Sequence, residues 1–198
     1  TIGAMAGRES RDPSALDAAV AGAALSTVAT FVQLGVLLFV ASPATFLALA
    51  WPLAAGGAIA ALYGLAFTFR AAHAGEPGEQ APGRAFSVTT ALVLAASMCF
   101  MLVAVAALKL WFGDAGVIAG LALAGIVDAH SASVSAASLV VSGQLAAEQA
   151  VIPVLAAVST NASAKIVMAL SAGSPAFALR IVPGVLLSLA AAWAVTAI

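Results

Sequence analysis

Six long apolar segments divide this 198-residue chain, and each reaches the length that a membrane-spanning helix requires. About 20 apolar residues cross the hydrocarbon core of a bilayer. In lipid, a single segment can satisfy its own backbone N–H and C=O groups only as an α-helix. The sequence therefore predicts an all-α integral membrane protein with about six transmembrane helices in a compact bundle, as one domain over residues 1–198. The predicted helices cover residues 15–40, 45–69, 86–112, 115–141, 149–171 and 175–198.

The composition favours a lipid environment and excludes other classes. Apolar residues make up 64% of the chain and charged residues 8%, whereas a soluble domain carries about 25% charged residues. A formal net charge of −1 provides no basic surface for nucleic acid. Cys99 is the only cysteine, so no disulfide can form within one chain. The lipid bilayer is therefore the expected partner.

The chain carries none of the common catalytic motifs. It has no Walker loop, no dinucleotide fingerprint, no Gly-x-Ser-x-Gly elbow and no His-Glu-x-x-His pair. Its two histidines, His73 and His130, lie in a predicted loop and a predicted helix. We therefore expect a protein that is not an enzyme and that holds no cofactor and no metal.

Basic residues near the segment ends predict the orientation in the membrane. A polar loop over residues 70–85 separates the second segment from the third. Lys and Arg accumulate on the cytoplasmic side of membrane proteins. Four basic residues fall on one side and two on the other, so both termini are expected in the cytoplasm. The four are Arg8, Arg11, Arg70 and Arg84, and the two are Lys109 and Arg180.

The order of the segments also allows an inverted repeat. Two halves of three spans each would have opposite orientations in the membrane, as in many secondary transporters. Pro52 and Pro153 fall at similar depths in the middle segment of each half. We therefore predict a weak three-plus-three repeat.

Asp128, Asn161 and Lys165 are polar residues in the predicted fourth and fifth helices. A short turn at residues 142–144 makes these helices an antiparallel hairpin with its apex near Leu145. Asp128 lies 17 residues before the apex and Asn161 lies 16 after it. Equal separation predicts equal depth, and Lys165 is about one turn farther along the same face as Asn161. Ionisable groups in hydrocarbon are costly, so this arrangement predicts an intramembrane site with an Asp128–Lys165 pair.

Hydroxyl and amide side chains extend this polar region. Helical spacing places Ser131, Ser135 and Ser138 on one face with Asp128. A shorter stripe of Ser26, Thr30 and Gln33 lies in the first apolar segment. His130 is two residues from Asp128, about 200° around a regular helix, so joint metal binding would require an unwound segment. We include His130 among the pathway residues.

Two functions account for these residues. In the first, the protein is a transporter or channel-like module for a cation, a proton-coupled solute or another small polar solute, with Asp128, Asn161 and Lys165 as its site. In the second, the charges set helix register in a non-transporting scaffold that forms homo-oligomers or docks a partner domain.

Several short elements in order carry a family resemblance. They are Phe112-Gly113-Asp114-Ala115-Gly116, Gly125-Ile126-Val127-Asp128, Ser133, Ser135, Thr160-Asn161, Lys165 and Gly173. This set resembles the C-terminal membrane domain of unknown function (DUF4010 type) of bacterial MgtC/SapB-family proteins. The resemblance implies a bacterial inner-membrane protein. It also implies an MgtC-like membrane domain as partner, and, with no Met at position 1, we expect the chain to be part of a longer one. The family prefers a second acidic residue where this chain has His130.

Overall fold

The protein is described here by a computed structural model, which covers residues 2–9, 16–73 and 88–197. Within these ranges all regular structure is helical, which confirms the predicted all-α class. The seven α-helices of the described ranges are α1 (Ile2–Glu9), α2 (Leu16–Ala41), α3 (Pro43–His73), α4 (Val88–Val127), α5 (Ala129–Val141), α6 (Val151–Ala172) and α7 (Pro175–Ala194). Short 3-10 turns cover Glu148–Ala150 and Val195–Ala197.

Four helices are long and apolar enough to cross a membrane. They are Leu16–Ala41, Pro43–Ala72, Glu148–Ala172 and Pro175–Ala194. Large apolar side chains cover their outer surfaces, including Val40, Trp51 and Leu179, each 76% exposed. Exposure of this kind fits lipid contact and not water. A membrane location follows from these four helices, whereas the six predicted spans are not established.

The predicted third and fourth spans correspond to α4 and α5, and this stretch of the chain is interrupted at two points. α4 turns at Gly113, whose φ of 61° favours glycine. A Cβ at Gly116 would come within 2.1 Å of the Leu108 carbonyl oxygen, so the chain folds back sharply there. The second interruption is at Asp128, where α4 ends and α5 begins. The predicted helix 115–141 is thus two helices of 13 residues, each about 20 Å long and shorter than a 30 Å hydrocarbon core.

Some predictions fall on residues outside the described ranges. They include residues 74–85 of the polar loop and the first two residues of the predicted span 86–112. The side chains of four basic residues used for the orientation also lie outside the description, namely those of Arg8, Arg11, Arg84 and Lys109. The orientation therefore stays a prediction.

The bundle has two buried apolar clusters. One lies mainly between α2, α3, α4, α5 and α6, around Leu34, Leu49 and Leu155. The other lies mainly between α1, α2, α3, α6 and α7, around Val20, Phe177 and Ile181. Many of the remaining buried positions are alanine, which lets helices approach closely in lipid, where no hydrophobic effect drives them together.

Polar contacts join the helix ends. The Tyr63 hydroxyl in α3 donates to the Arg180 carbonyl in α7 at 2.8 Å. The Arg180 guanidinium pairs with Asp17 of α2. Glu9, at the end of α1, accepts a hydrogen bond from the Ser174 N–H at 3.1 Å, and Ser174 in turn caps α7. These bonds attach α1 and α7 to the rest of the bundle.

The two prolines behind the predicted repeat have different environments. Pro52 lies inside α3, whereas Pro153 is the third residue of α6. A proline in the first turn of a helix removes no intrahelical hydrogen bond, while an interior proline does. The prolines therefore do not support the repeat, which stays a prediction.

Candidate functional site

Asp128 is the point at which the helix is broken. Its backbone is extended, with φ −159° and ψ 117°, and its side chain caps α5. One carboxylate oxygen accepts from the His130 N–H at 3.1 Å, and the other accepts from the Ser131 N–H at 2.8 Å and the Ser131 hydroxyl at 2.5 Å. Aspartate favours such a cap because it satisfies N–H groups that have no carbonyl partner in the first turn. These bonds satisfy backbone N–H groups that the break leaves without an intrahelical partner.

His130 contacts Asp128 directly, contrary to the expectation for a regular helix. The His130 Nδ1 lies 2.7 Å from Asp128 Oδ1. The 200° separation assumed an uninterrupted helix, and the extended residue 128 brings the two side chains together. Two candidate ligands do not make a metal site, and the described residues contain no group of three or more such ligands.

Lys165 bonds to α2 and not to Asp128. Its ammonium donates to the Thr30 hydroxyl oxygen at 2.8 Å, and the Thr30 hydroxyl donates to the Ser26 carbonyl at 3.0 Å. The side chains of Asp128 and Lys165 form no ion pair with each other; the ion pairs of the described residues are Asp128–His130 and Asp17–Arg180. The predicted Asp128–Lys165 pair is therefore not formed.

The register of α4 against α6 explains why the pair does not form. The Thr160 hydroxyl donates to the Ala122 carbonyl at 2.6 Å, and Gly125 lies against Ala157. Thr160 is thus level with Ala122, and its neighbour Asn161 is not level with Asp128. Asp128 and Lys165 lie on opposite sides of this contact. The depth match predicted from the hairpin fails because the helix breaks at Asp128 and because α6 packs more on α4 than on α5.

A cleft of about 460 Å³ collects six of the ten predicted residues. They come from α2, α5 and α6, and they are Ser26, Thr30, Gln33, His130, Asn161 and Lys165. Apolar residues complete the walls, including Ile2 of α1, Val127 of α4 and Met168 of α6.

The serines of α5 do not line this cleft. Ser131 is 5% exposed and Ser135 is 2% exposed, and the hydroxyl of Ser135 donates to the Ser131 carbonyl. Ser138 is exposed and donates to the Val134 carbonyl at 2.9 Å. These bonds satisfy the hydroxyls within their own helix. Of the predicted stripe, only Ser131 contacts Asp128.

Thr27 is a neighbour of the site that the sequence analysis missed. It is 7% exposed, and its hydroxyl has no hydrogen-bond partner among the described residues. It lines a second, small cavity of about 20 Å³ together with Thr30, Asn161 and Lys165. That volume is enough for one water molecule. Its spacing of three residues from Thr30 was a signal in the sequence, although threonine in an apolar helix is common.

Comparison with known proteins places the chain in a family. Residues 1–173 match the domain of unknown function DUF4010. That range contains the cleft and both breaks of the α4–α5 region. No curated protein and no solved structure matches the chain. Since the match covers most of its length, the chain belongs to the DUF4010 family.

Proposed function

We propose that this membrane protein is a transporter or channel-like module for a small polar solute, and that the cleft between α2, α5 and α6 is its solute site. One observation carries the proposal. In a chain with 64% apolar residues, six polar side chains from three helices line a single cleft. Polar groups at membrane depth usually face a pathway or a water-filled cavity.

The helix break beside the cleft supports the same proposal. Secondary transporters often build their sites from discontinuous helices near the membrane centre. Here α4 ends at Val127 and α5 begins at Ala129, and both Val127 and His130 line the cleft. The break therefore brings residues of two short helices to one solute-sized space.

The role of Asp128 differs from the one proposed from the sequence. Its two carboxylate oxygens accept four hydrogen bonds from His130 and Ser131. We propose that it holds the break in place and that Lys165 and Asn161 meet the solute. We further propose that the protein has no enzymatic activity, lies in a bacterial inner membrane with both termini in the cytoplasm, and accompanies an MgtC-like domain.

Purified protein in liposomes tests transport directly. Osmotic swelling in glycerol, sodium acetate and potassium chloride should show at least one solute entering faster than into protein-free vesicles. Ala29→Trp should reduce this rate because Ala29 lines the cleft. The matched control is Ala54→Trp, which adds the same bulk to an apolar groove between α2 and α3.

Cysteine labelling provides an independent measurement of water access. In a Cys99→Ala background, Gln33→Cys should react with a charged thiol reagent, because thiolates form only where water reaches them. Val32→Cys, one residue earlier, faces the apolar groove and should react slowly. Absence of permeation for every probe, together with an unreactive Gln33→Cys, would refute the proposal and leave the scaffold function.

A further inference from the structure

Lys165 is a charged group in a cleft that contains no acidic side chain among its described lining residues. Its ammonium has Thr30 as its hydrogen-bond acceptor, and no described carboxylate lies within ion-pair distance. An ammonium at membrane depth is costly unless a counter-charge or water meets it. The charge balance of the cleft is therefore incomplete in the described structure.

The polar side chains of the cleft offer hydrogen-bond donors to a ligand that carries acceptor atoms. An ammonium has three donors, and Lys165 uses one of them on Thr30. The Thr30 hydroxyl is itself committed to the Ser26 carbonyl, which holds its oxygen toward the lysine. Asn161 and Gln33, on the same cleft, each carry an amide with two further donors.

A cation would find weaker partners in the same space. Asp128 lies at the break beside the cleft, but its oxygens accept from the His130 and Ser131 backbone and side chains. His130, whose Nδ1 is bonded to Asp128, adds no negative charge to the cleft. The remaining oxygens of the cleft belong to neutral hydroxyls and amides. Such a set favours a negative ligand over a positive one.

We infer that the cleft binds a small oxyanion, either a carboxylate or a phosphate group, with Lys165 as its charge partner and Asn161 and Gln33 as hydrogen-bond donors. This inference rests on the proposed function, because it names the chemical class of the solute. About 460 Å³ accommodates either group with water. A free solute or the phosphate of a lipid headgroup could supply the same chemistry.

Nitrogen NMR on lysine side chains tests binding without any flux. The chain has two lysines, Lys109 and Lys165, so ¹⁵N-lysine protein in non-ionic detergent gives two side-chain signals. Lys109→Arg assigns them. Titration with sodium acetate or inorganic phosphate should shift the Lys165 signal saturably and leave the Lys109 signal unchanged. Acetamide, which has the shape of acetate without its charge, should produce no saturable shift.

A second titration identifies the source of the anion. If phosphatidylglycerol in the micelle shifts the Lys165 signal and acetate and phosphate do not, the oxyanion is a lipid headgroup. If the soluble anions shift it, the ligand is a free solute. If no anion shifts the signal, or if acetamide shifts it equally, the inference is overturned.

Variants locate the binding by affinity. A charged hydrogen bond is lost in Asn161→Leu, and we expect anion binding to weaken by about tenfold. Ser163→Ala, on the same helix but exposed outside the cleft, should leave it unchanged. Solute flux in liposomes without saturable anion binding would remove this inference and retain the proposed function. Saturable anion binding without solute flux would remove the proposed function and retain the anion site.

Discussion

Replacement of Gly125 by alanine should destabilise the protein, because α4 and α6 touch at this residue. An added Cβ would lie 2.2 Å from the Ala157 carbonyl oxygen, 2.5 Å from the Ala157 Cα and 2.5 Å from the Thr160 hydroxyl oxygen. Two of these three atoms belong to the backbone and cannot rotate away. The helices must therefore separate to admit one methyl group.

The expected loss follows from three contributions. Overpacking of this kind costs about 1–3 kcal/mol, and a rigid backbone contact belongs at the upper end. Separation also weakens the bond from the Thr160 hydroxyl to the Ala122 carbonyl, and hydrogen bonds between membrane helices contribute about 0.6 kcal/mol. Alanine regains about 0.5–1 kcal/mol over glycine inside a helix. We expect a net loss of roughly 1–3 kcal/mol in the free energy of unfolding.

Gly35→Ala is the matched control, because the nearest atom to its added Cβ is Phe46 Cε2 at 3.8 Å. That distance is an ordinary van der Waals contact, so the helix preference of alanine should leave stability unchanged or raise it by about 0.5–1 kcal/mol. Unfolding in mixed dodecylmaltoside and SDS micelles, followed by circular dichroism, measures both variants. Equal stability of Gly125→Ala and wild type would refute the close helix contact.

Four further substitutions, at three positions, test individual side-chain interactions with the same unfolding measurement. Asp128→Ala should lower the free energy of unfolding by about 0.5–2 kcal/mol, because it removes the cap of α5. Asp128→Asn should lower it less, because the amide oxygen still accepts a hydrogen bond. Equal losses in the two variants would contradict the cap. Tyr63→Phe should lose about 0.5–1.5 kcal/mol with the bond to the Arg180 carbonyl, and an unchanged midpoint would remove that link. Thr27→Val should stay within about 0.5 kcal/mol of wild type, because the Thr27 hydroxyl has no partner; a loss above about 1 kcal/mol would mean that the hydroxyl is bonded.

Local sequence patterns were sufficient to find the four long apolar helices that could span a membrane in the described ranges. Apolar runs of about 20 residues predicted spans at 15–40, 45–69, 149–171 and 175–198, and helices of membrane-spanning length are present close to those positions. This succeeds because backbone hydrogen bonding in lipid is satisfied within each segment and does not depend on neighbours. The same reasoning predicted a boundary between the spans 86–112 and 115–141, and the chain turns there, at Gly113.

The site was only partly predictable. Polar residues in apolar helices were visible in the sequence, and six of them line one cleft. Their pairing was not visible, because it depends on the register between helices. Hairpin symmetry placed Asp128 level with Asn161, whereas the contact of Gly125 with Ala157 sets a different register.

The sequence by itself determined that this chain forms apolar helices with a few polar side chains inside them, since both properties follow from local composition. The tertiary structure decided which of those side chains meet. The break at Asp128 is an example, because an aspartate can either continue a helix or cap the next one, and both choices satisfy local rules. Packing between helices brings Lys165 of α6 to Thr30 of α2 and leaves the Asp128 carboxylate with His130 and Ser131.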